Sequence, residues 1–123
     1  MVISRGEIFW ANLAGVQGSE PGKKRPVVIV QRDSINISKF GTVLVIPLTT
    51  QTRHSNIPGN VLLNKGEANL PSPSLARCTH VMVIDKNRLN EKVGTLSLDR
   101  IEEIADNICW VLGRSSGERR IID

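Results

Sequence analysis

A single arginine stands where a charged loop meets an apolar strand. Arg25 follows the glycine- and lysine-rich segment 18–24, and Pro26 and the β-branched run 27–30 come directly after it. Proline fixes its own φ and favours an extended conformation at the residue before it, so the backbone of Arg25 is restricted. A guanidinium held in this way matches a phosphate in a planar, two-pronged geometry. The junction between this loop and the strand therefore predicts an anion-binding site at Arg25, with a phosphodiester as the expected ligand.

A second apolar strand also ends in polar residues. The run 43–48 leads into Thr49, Thr50 and Gln51. If the two strands are neighbours in a sheet, Arg25 and Thr49 converge on one anion. Those two groups suffice for cleavage of RNA by its own 2′-OH, because the protein need only align that hydroxyl with phosphorus and stabilise the developing charge. Arginine suits the second task, whereas its very high pKa makes it a poor proton acceptor.

Spacing alone leaves other interpretations of these residues open. Glu20 could pair with Arg25 as a surface salt bridge, and Thr49 could be no more than the end of a strand. Alternatively, Glu20 acts as the base in cleavage, or it orients the guanidinium.

Motifs of several other catalytic classes are absent. The sequence contains no HExxH, paired CxxC or DxDxDG pattern, so neither a metal site nor a cofactor is expected. It has no GxxxxGK[ST] or GxGxxG loop, which argues against nucleotide hydrolysis. We interpret His80 as a hydrogen-bonded strand residue and His54 as an exposed residue that is a minor candidate for substrate contact.

Composition indicates one domain with a mild basic excess. The 123 residues include 16 Lys and Arg against 12 Asp and Glu, a net charge of +4 that favours a polyanionic partner. Cys78 and Cys109 form no CxxC pair and are predicted to be free, buried thiols, as in a reducing cytosol. No signal peptide or bilayer-spanning apolar run is recognised, so we expect a cytoplasmic protein without membrane contact.

Turn signals divide the chain into short strands and one convincing helix. The predicted strands cover residues 7–13, 26–31, 42–48, 61–63 and 75–84. Because no helices separate them, they indicate an antiparallel sheet curled into a small barrel. The helix is capped by Ser97, carries an apolar face from Ile101 to Leu112 and ends at Gly113. A short helical turn is expected within 34–39.

The chain has only four aromatic residues, which argues against a module that binds nucleic acid by base stacking alone. Phe9 and Trp10 are adjacent, so they point to opposite faces of their strand. We expect one of them in the core and the other over a groove or a subunit interface.

Several segments together resemble the MazF/PemK/Kid-type toxins. The similar segments are RGEIFWANL at 5–13, GSEPGKKRPVVIV at 18–30, PLTTQ at 47–51, SLARC at 74–78 and IDKNRL at 84–89. With the closing helix, the resemblance covers residues 3–112.

The resemblance implies a mainly β protein with a C-terminal helix, folded as a small SH3-like (CcdB/PemK-type) antiparallel β-barrel. The barrel would occupy residues 1–113, followed by a basic tail at 114–123. It also implies a homodimeric, metal-independent and sequence-specific endoribonuclease of a type II toxin–antitoxin system, without a cofactor. Such an enzyme cleaves single-stranded RNA (mRNA or rRNA) to a 2′,3′-cyclic phosphate and a 5′-OH. The implied partner is a MazE-like antitoxin whose acidic tail occupies the RNA groove.

Matched positions carry the family's functional residues onto this chain. The catalytic arginine falls on Arg25 and the catalytic threonine on Thr49. Ser19, Glu20 and Gln51 fall where the family contacts RNA. Lys24 is a further expected RNA contact, and with Lys23 it makes the loop more basic than is usual in the family. Pro21 stands where the family has glutamine, and this departure bears on the RNA sequence that is recognised.

Two alternatives belong to other functional classes. A CcdB-like toxin on the same barrel would poison DNA gyrase without nuclease activity. A bare nucleic-acid-binding module would bind RNA without turnover.

Overall fold

The computed structural model describes residues 2–16 and 24–114. Seven strands lie within them: β1 Glu7–Asn12, β2 Lys24–Ile29, β3 Thr42–Thr49, β4 Asn60–Leu63, β5 Ser74–Arg77, β6 Met82–Asp85 and β7 Leu89–Thr95. The two α-helices are α1, Asp33–Asn36, and α2, Leu98–Val111. Short 3-10 turns lie at Thr52–His54, Glu67–Asn69, Cys78–His80 and Lys86–Arg88.

The strands form one antiparallel sheet in the order β4-β5-β3-β2-β1-β7, and β6 pairs with β3 off this path. The first half of β3 pairs with β6, and its last residues, Leu48 and Thr49, pair with β5. The short Lys86–Arg88 turn connects β6 to β7, which pairs with β1 on the far side of the sheet. The predicted antiparallel barrel is therefore confirmed in a loose form, because hydrogen bonds between the described strands do not close it.

The central strand β2 is buried on both faces, as its β-branched sequence predicts. Val27, Val28 and Ile29 are each fully buried. Successive strand residues point to opposite faces, and Val27 and Ile29 join one apolar cluster with Phe9. Val28 joins a second cluster, to which α2 contributes Ile104. Core on both sides fixes the position of β2 and of the polar residues at its start.

The predicted strand 75–84 is wrong as a single element. A 3-10 turn at Cys78–His80 divides it into β5 and β6. These two strands pair with opposite ends of β3, so the chain must leave one pairing before it enters the other.

Strand β7 was not predicted from the sequence. Its residues Asn90, Glu91 and Lys92 are all exposed, so it lacks the apolar alternation that marks a half-buried strand. It pairs with β1 alone among the described strands, and charged side chains are common on such edge strands.

The closing helix agrees with its prediction at both ends. The Ser97 hydroxyl accepts a hydrogen bond from the Arg100 backbone N–H at 3.2 Å, and Gly113 follows the helix with φ of +96°. Ile101 and Ile104 are buried, whereas Leu112 is 72% exposed, so the apolar face is narrower than expected. Helix α1 corresponds to the short turn expected within 34–39.

The two cysteines differ in burial. Both are free, as predicted, and Cys78 is buried. Cys109 is exposed, so its predicted burial is wrong: it lies on α2 away from the two residues, Ile101 and Ile104, that are buried there.

The predictions about a membrane span and about the C-terminal tail can be compared with the described residues only. No helix within residues 2–16 and 24–114 is long and apolar enough to span a membrane. Of the predicted tail at 114–123, only Arg114 lies within the described residues.

Candidate functional site

A pocket of about 650 Å³ crosses the sheet. Its lining comes from β5, β3, β2, β1 and β7, which are consecutive neighbours, and from the segment 69–72. Residues that are distant in sequence therefore meet around one space.

Arg25 and Thr49 both line this pocket. Their strands are antiparallel neighbours, with Val27 opposite Pro47 and Val28 opposite Ile46. Arg25 and Thr49 each lie two residues beyond the Val27–Pro47 pair, at the same end of the two strands. The condition set by the sequence, that the two strands lie side by side, is therefore met.

The Thr49 hydroxyl is oriented by its own turn. Its Oγ1 accepts a hydrogen bond from the Gln51 backbone N–H at 3.1 Å. The hydroxyl proton remains available for donation, because a threonine hydroxyl both accepts and donates. Arg25 is half-buried, and within the described part of the chain no ion pair engages its guanidinium. The pair can therefore present hydrogen-bond donors to an anion in the pocket.

The other predicted RNA contacts divide into two groups. Lys24 and Gln51 are exposed and line the same pocket as Arg25. Ser19 and Glu20 lie outside the described residues, and so does Pro21.

Sequence reasoning missed three charged residues of the pocket. Arg77 comes from β5, and Glu91 and Lys92 come from β7. Arg77 stood within the predicted strand 75–84 and in a segment that resembles the family, but no role was assigned to it. The β7 pair lay in a strand that was not recognised. Lys92 forms an ion pair with Glu7 at 2.6 Å.

Trp10 supplies an aromatic surface to the pocket. It is 37% exposed, whereas Phe9 is 4% exposed and belongs to the core. The prediction that one of the two is core and the other faces a groove is confirmed. An indole face beside cationic side chains is suited to stacking with a nucleobase.

Helix α2 anchors the segment that borders the pocket. Arg100 donates two hydrogen bonds to the Glu67 carboxylate, at 3.0 and 2.6 Å. This guanidinium lowers the pKa of the Glu67 carboxyl despite partial burial, which acts in the opposite direction. The Asn69 side chain also donates to the Val93 carbonyl at 3.2 Å. The segment that leads into 69–72 is therefore held to α2 through Glu67 and to β7 through Asn69.

The two histidines lie in different surroundings. His80 shares a hydrogen bond of 2.9 Å with the Thr79 hydroxyl. It belongs to a 3-10 turn, so its predicted place on a strand is wrong. Burial, and secondly the positive charge of Arg77, lowers the pKa of His80. His54 is exposed, as predicted, and is not among the pocket-lining residues.

Within residues 2–16 and 24–114, no group of three or more His, Cys, Asp or Glu side chains is arranged to hold a metal ion.

Comparison with known proteins gives consistent matches along the chain. Residues 4–112 match the model of the PemK-like, MazF-like toxin of type II toxin–antitoxin systems. The chain is similar to endoribonuclease MazF6 of Mycobacterium tuberculosis, with 35% identity over 123 residues, which are 100% of this chain and 99% of the relative.

Solved structures share the fold. MazF from Deinococcus radiodurans superimposes with a TM-score of 0.75 at 23% identity, over 93% of this chain and 99% of that one. A mycobacterial endoribonuclease in complex with its cognate antitoxin gives a TM-score of 0.73 at 21% identity, over 90% and 95% of the two chains. From the family match and the full-length relative together, the chain belongs to the PemK-like, MazF-like toxins of type II toxin–antitoxin systems.

Proposed function

We propose that this MazF-type endoribonuclease toxin cleaves single-stranded RNA in the pocket that Arg25 and Thr49 line. The proposal rests on one observation, the convergence of these two residues from neighbouring strands on a basic pocket. Curated relatives named endoribonuclease MazF support the activity. The cleavage of mRNA or rRNA in this way would inhibit translation.

Cleavage begins with attack of the substrate 2′-oxygen on the adjacent phosphorus. The bond from phosphorus to the 5′-oxygen of the next nucleotide then breaks, and the leaving oxygen takes up a proton. The products are a 2′,3′-cyclic phosphate and a 5′-OH. No protein nucleophile is needed, because the substrate carries its own.

Arg25 and Thr49 act on the charge that develops during this attack. The guanidinium of Arg25 donates to the non-bridging oxygens of the phosphorane, and the Thr49 hydroxyl adds a further hydrogen bond. Donors fixed in advance on a rigid sheet stabilise such charge without reorganising during the reaction. Glu20, outside the described residues, stays our candidate for orienting Arg25 or accepting the 2′ proton.

Other pocket residues hold the RNA chain. Lys24 attracts its phosphates, Gln51 offers an amide to bases or sugars, and Trp10 offers a stacking face. Ser19 is proposed as an additional contact from the preceding loop. Sequence preference follows from these contacts and from loop shape.

The decisive experiment is the cleavage of single-stranded RNA by purified protein in EDTA. We expect cleavage by the wild type and a loss of at least about a hundredfold for Arg25→Ala, since a charge-stabilising donor is removed. The control is Arg32→Ala, because Arg32 is exposed and outside the pocket lining. Product ends should be 5′-OH and cyclic phosphate, and a single 2′-deoxy nucleotide at the cut should block the reaction. Full cleavage by a folded Arg25→Ala variant would overturn the assignment.

Two partners are proposed from the family. A MazE-like antitoxin would place an acidic segment in the basic pocket and exclude RNA, in line with the antitoxin complex of the mycobacterial relative. A homodimer should elute at about twice the 13.5 kDa chain mass. Exposed apolar residues such as Ile37, Phe40 and Leu98 leave surface for such contacts.

The CcdB-like alternative finds no support among the relatives described above. It predicts gyrase inhibition without RNA cleavage, so the EDTA assay separates the two activities. The alternative of a bare binding module predicts RNA binding without products, which the same assay detects.

A further inference from the structure

The turn at 66–70 leads into one wall of the pocket and has an uncommon backbone conformation. Ala68 and Asn69 have φ of +49° and +63°, in the left-handed region. This region is unfavourable for a residue such as alanine, and it persists only where surrounding contacts hold it. The turn continues into the segment 69–72, whose residues line the pocket and form the 69–72 wall. The position of this wall therefore depends on the contacts that hold the turn.

Strand β7 holds the turn by close backbone contact. A Cβ at Gly94 would lie 2.1 Å from the Ala68 carbonyl oxygen, so the two backbones touch. The Asn69 side chain donates to the Val93 carbonyl at 3.2 Å, and Leu70 is 3% exposed and belongs to the core. The turn is therefore packed directly against a strand that itself lines the pocket.

Helix α2 holds the same turn through Arg100. The guanidinium donates to both oxygens of the Glu67 carboxylate, at 3.0 and 2.6 Å. Glu67 also accepts from the Asn64 backbone N–H at 2.8 Å, and its carbonyl accepts from the Leu70 N–H at 2.8 Å. A two-pronged pair fixes orientation as well as distance. The two side chains are only 23% and 26% exposed, so salt screens this pair less than a fully exposed one.

We infer that the Glu67–Arg100 pair determines RNA specificity, because it holds the 69–72 wall in the position that the recognised sequence fits. The inference rests on the proposed function, since it requires RNA in this pocket. Glu67 and Arg100 are not among the described residues that line the pocket. They are positioning residues that act through the backbone of the turn, whereas Arg25 and Thr49 are held separately by the core of the sheet.

Neutral variants of the pair test this coupling through KM and kcat. Glu67→Gln and Arg100→Gln each remove the ion pair, and the glutamine introduced in the first still offers an oxygen to the Asn64 N–H. Each should raise KM for the preferred RNA by roughly three- to tenfold and leave kcat within about twofold, as expected for a lost positioning contact in one network. The double variant should be no worse than either single one, because both changes remove the same interaction.

The cleavage profile tests specificity directly. A pool of random single-stranded RNA is cut by each protein, and the 5′ ends of the products are sequenced. Both Glu67→Gln and Arg100→Gln should accept more bases at one position of the sequence that the wild type prefers, with the other positions unchanged. A purely structural role would lower the amount of active enzyme without altering this profile.

Two control variants break other ion pairs of α2. Arg5→Gln removes the pair between Arg5 and Glu102. Glu103→Gln removes the second partner of Arg100, which lies on the same helix. Neither change touches the turn at 66–70, so both controls should keep the wild-type KM and cleavage profile. Urea unfolding of every variant identifies any that is not folded under the assay conditions.

Several results would overturn the inference. The first is a wild-type KM and profile in folded Arg100→Gln. The second is an equal change in Arg5→Gln, since this would reflect a general loosening of α2. Additive effects in the double variant, or a fall in kcat at constant KM, would overturn it as well.

Failure of this inference and failure of the proposed function are distinguishable. If Arg25→Ala cleaves RNA normally, the proposed function fails. If Arg25→Ala is inactive while Glu67→Gln and Arg100→Gln keep the wild-type profile and KM, only the role of the Glu67–Arg100 pair is wrong.

Discussion

Arg25 and Thr49 lie on adjacent antiparallel strands, each two residues beyond the pairing of Val27 with Pro47. Both residues line one pocket. Their 24-residue separation in sequence is closed by strand pairing, and the pairing is held by residues buried on both faces of β2. A site of this kind is rigid because its two halves are parts of the same core.

Removal of the Thr49 hydroxyl should slow the chemical step. Thr49→Val keeps the shape and loses the donor, so kcat should fall by about a hundredfold, the cost typical of one charge-stabilising hydrogen bond. Thr49→Ser keeps the hydroxyl and should retain most of the activity. Single-turnover cleavage at saturating protein measures the step. If Thr49→Val cleaves RNA at the wild-type single-turnover rate, the Thr49 hydroxyl takes no part in the chemical step.

Gly94 should not tolerate a side chain. A Cβ at this position would lie 2.1 Å from the Ala68 carbonyl oxygen and 2.5 Å from its carbon, and these are backbone atoms that cannot swing away. Gly94→Ala should therefore cost roughly 1–3 kcal/mol in the free energy of unfolding. It should also weaken RNA binding, because the displaced segment continues into the 69–72 pocket wall.

Gly41→Ala is the matched control for Gly94. A Cβ at Gly41 meets no atom within 4 Å, and its φ is not positive. Urea unfolding should show little change for this variant. If both variants unfold at the same urea concentration, the close approach of Ala68 to Gly94 is not a constraint.

The Glu67–Arg100 pair should make stability depend on acid pH. Hydrogen bonds from Arg100 lower the pKa of the Glu67 carboxyl in the folded protein. Its contribution is therefore complete above the unfolded pKa of about 4.3 and is lost as pH falls through the lower folded value. Arg100→Gln should be less stable than the wild type at pH 7, and the difference should shrink below about pH 4. A difference that is constant with pH would contradict this account.

The two thiols should react very differently. Burial, with a second contribution from the negative charge of Glu103, raises the pKa of the Cys78 thiol to about 12. Cys109 is exposed. A disulfide reagent at mildly alkaline pH should modify one thiol per native chain and two after denaturation, because the thiolate is the reactive form. Cys109→Ser should abolish the native reaction, and rapid modification of Cys78 would contradict its burial.

The sequence by itself determined the elements that local pattern encodes. β-Branched runs predicted the buried strands β2 and β3, and the spacing of Ile101 and Ile104 after Ser97 predicted α2. These signals are local, because burial and helical period appear within a few consecutive residues. The polar ends of the two strands gave Arg25 and Thr49 as candidates, but only on the condition that the strands are neighbours.

Only the tertiary structure decided which strands are neighbours and what each contributes to the pocket. It split the predicted strand 75–84, whose halves pair with opposite ends of β3. It added β7, with Glu91 and Lys92, whose exposed edge carries no apolar pattern. It brought Arg77 into the pocket. The physical reason is that the choice of neighbouring strands depends on how the whole core packs, and this brings together residues far apart in sequence. The residues of a single strand indicate only whether that strand is buried.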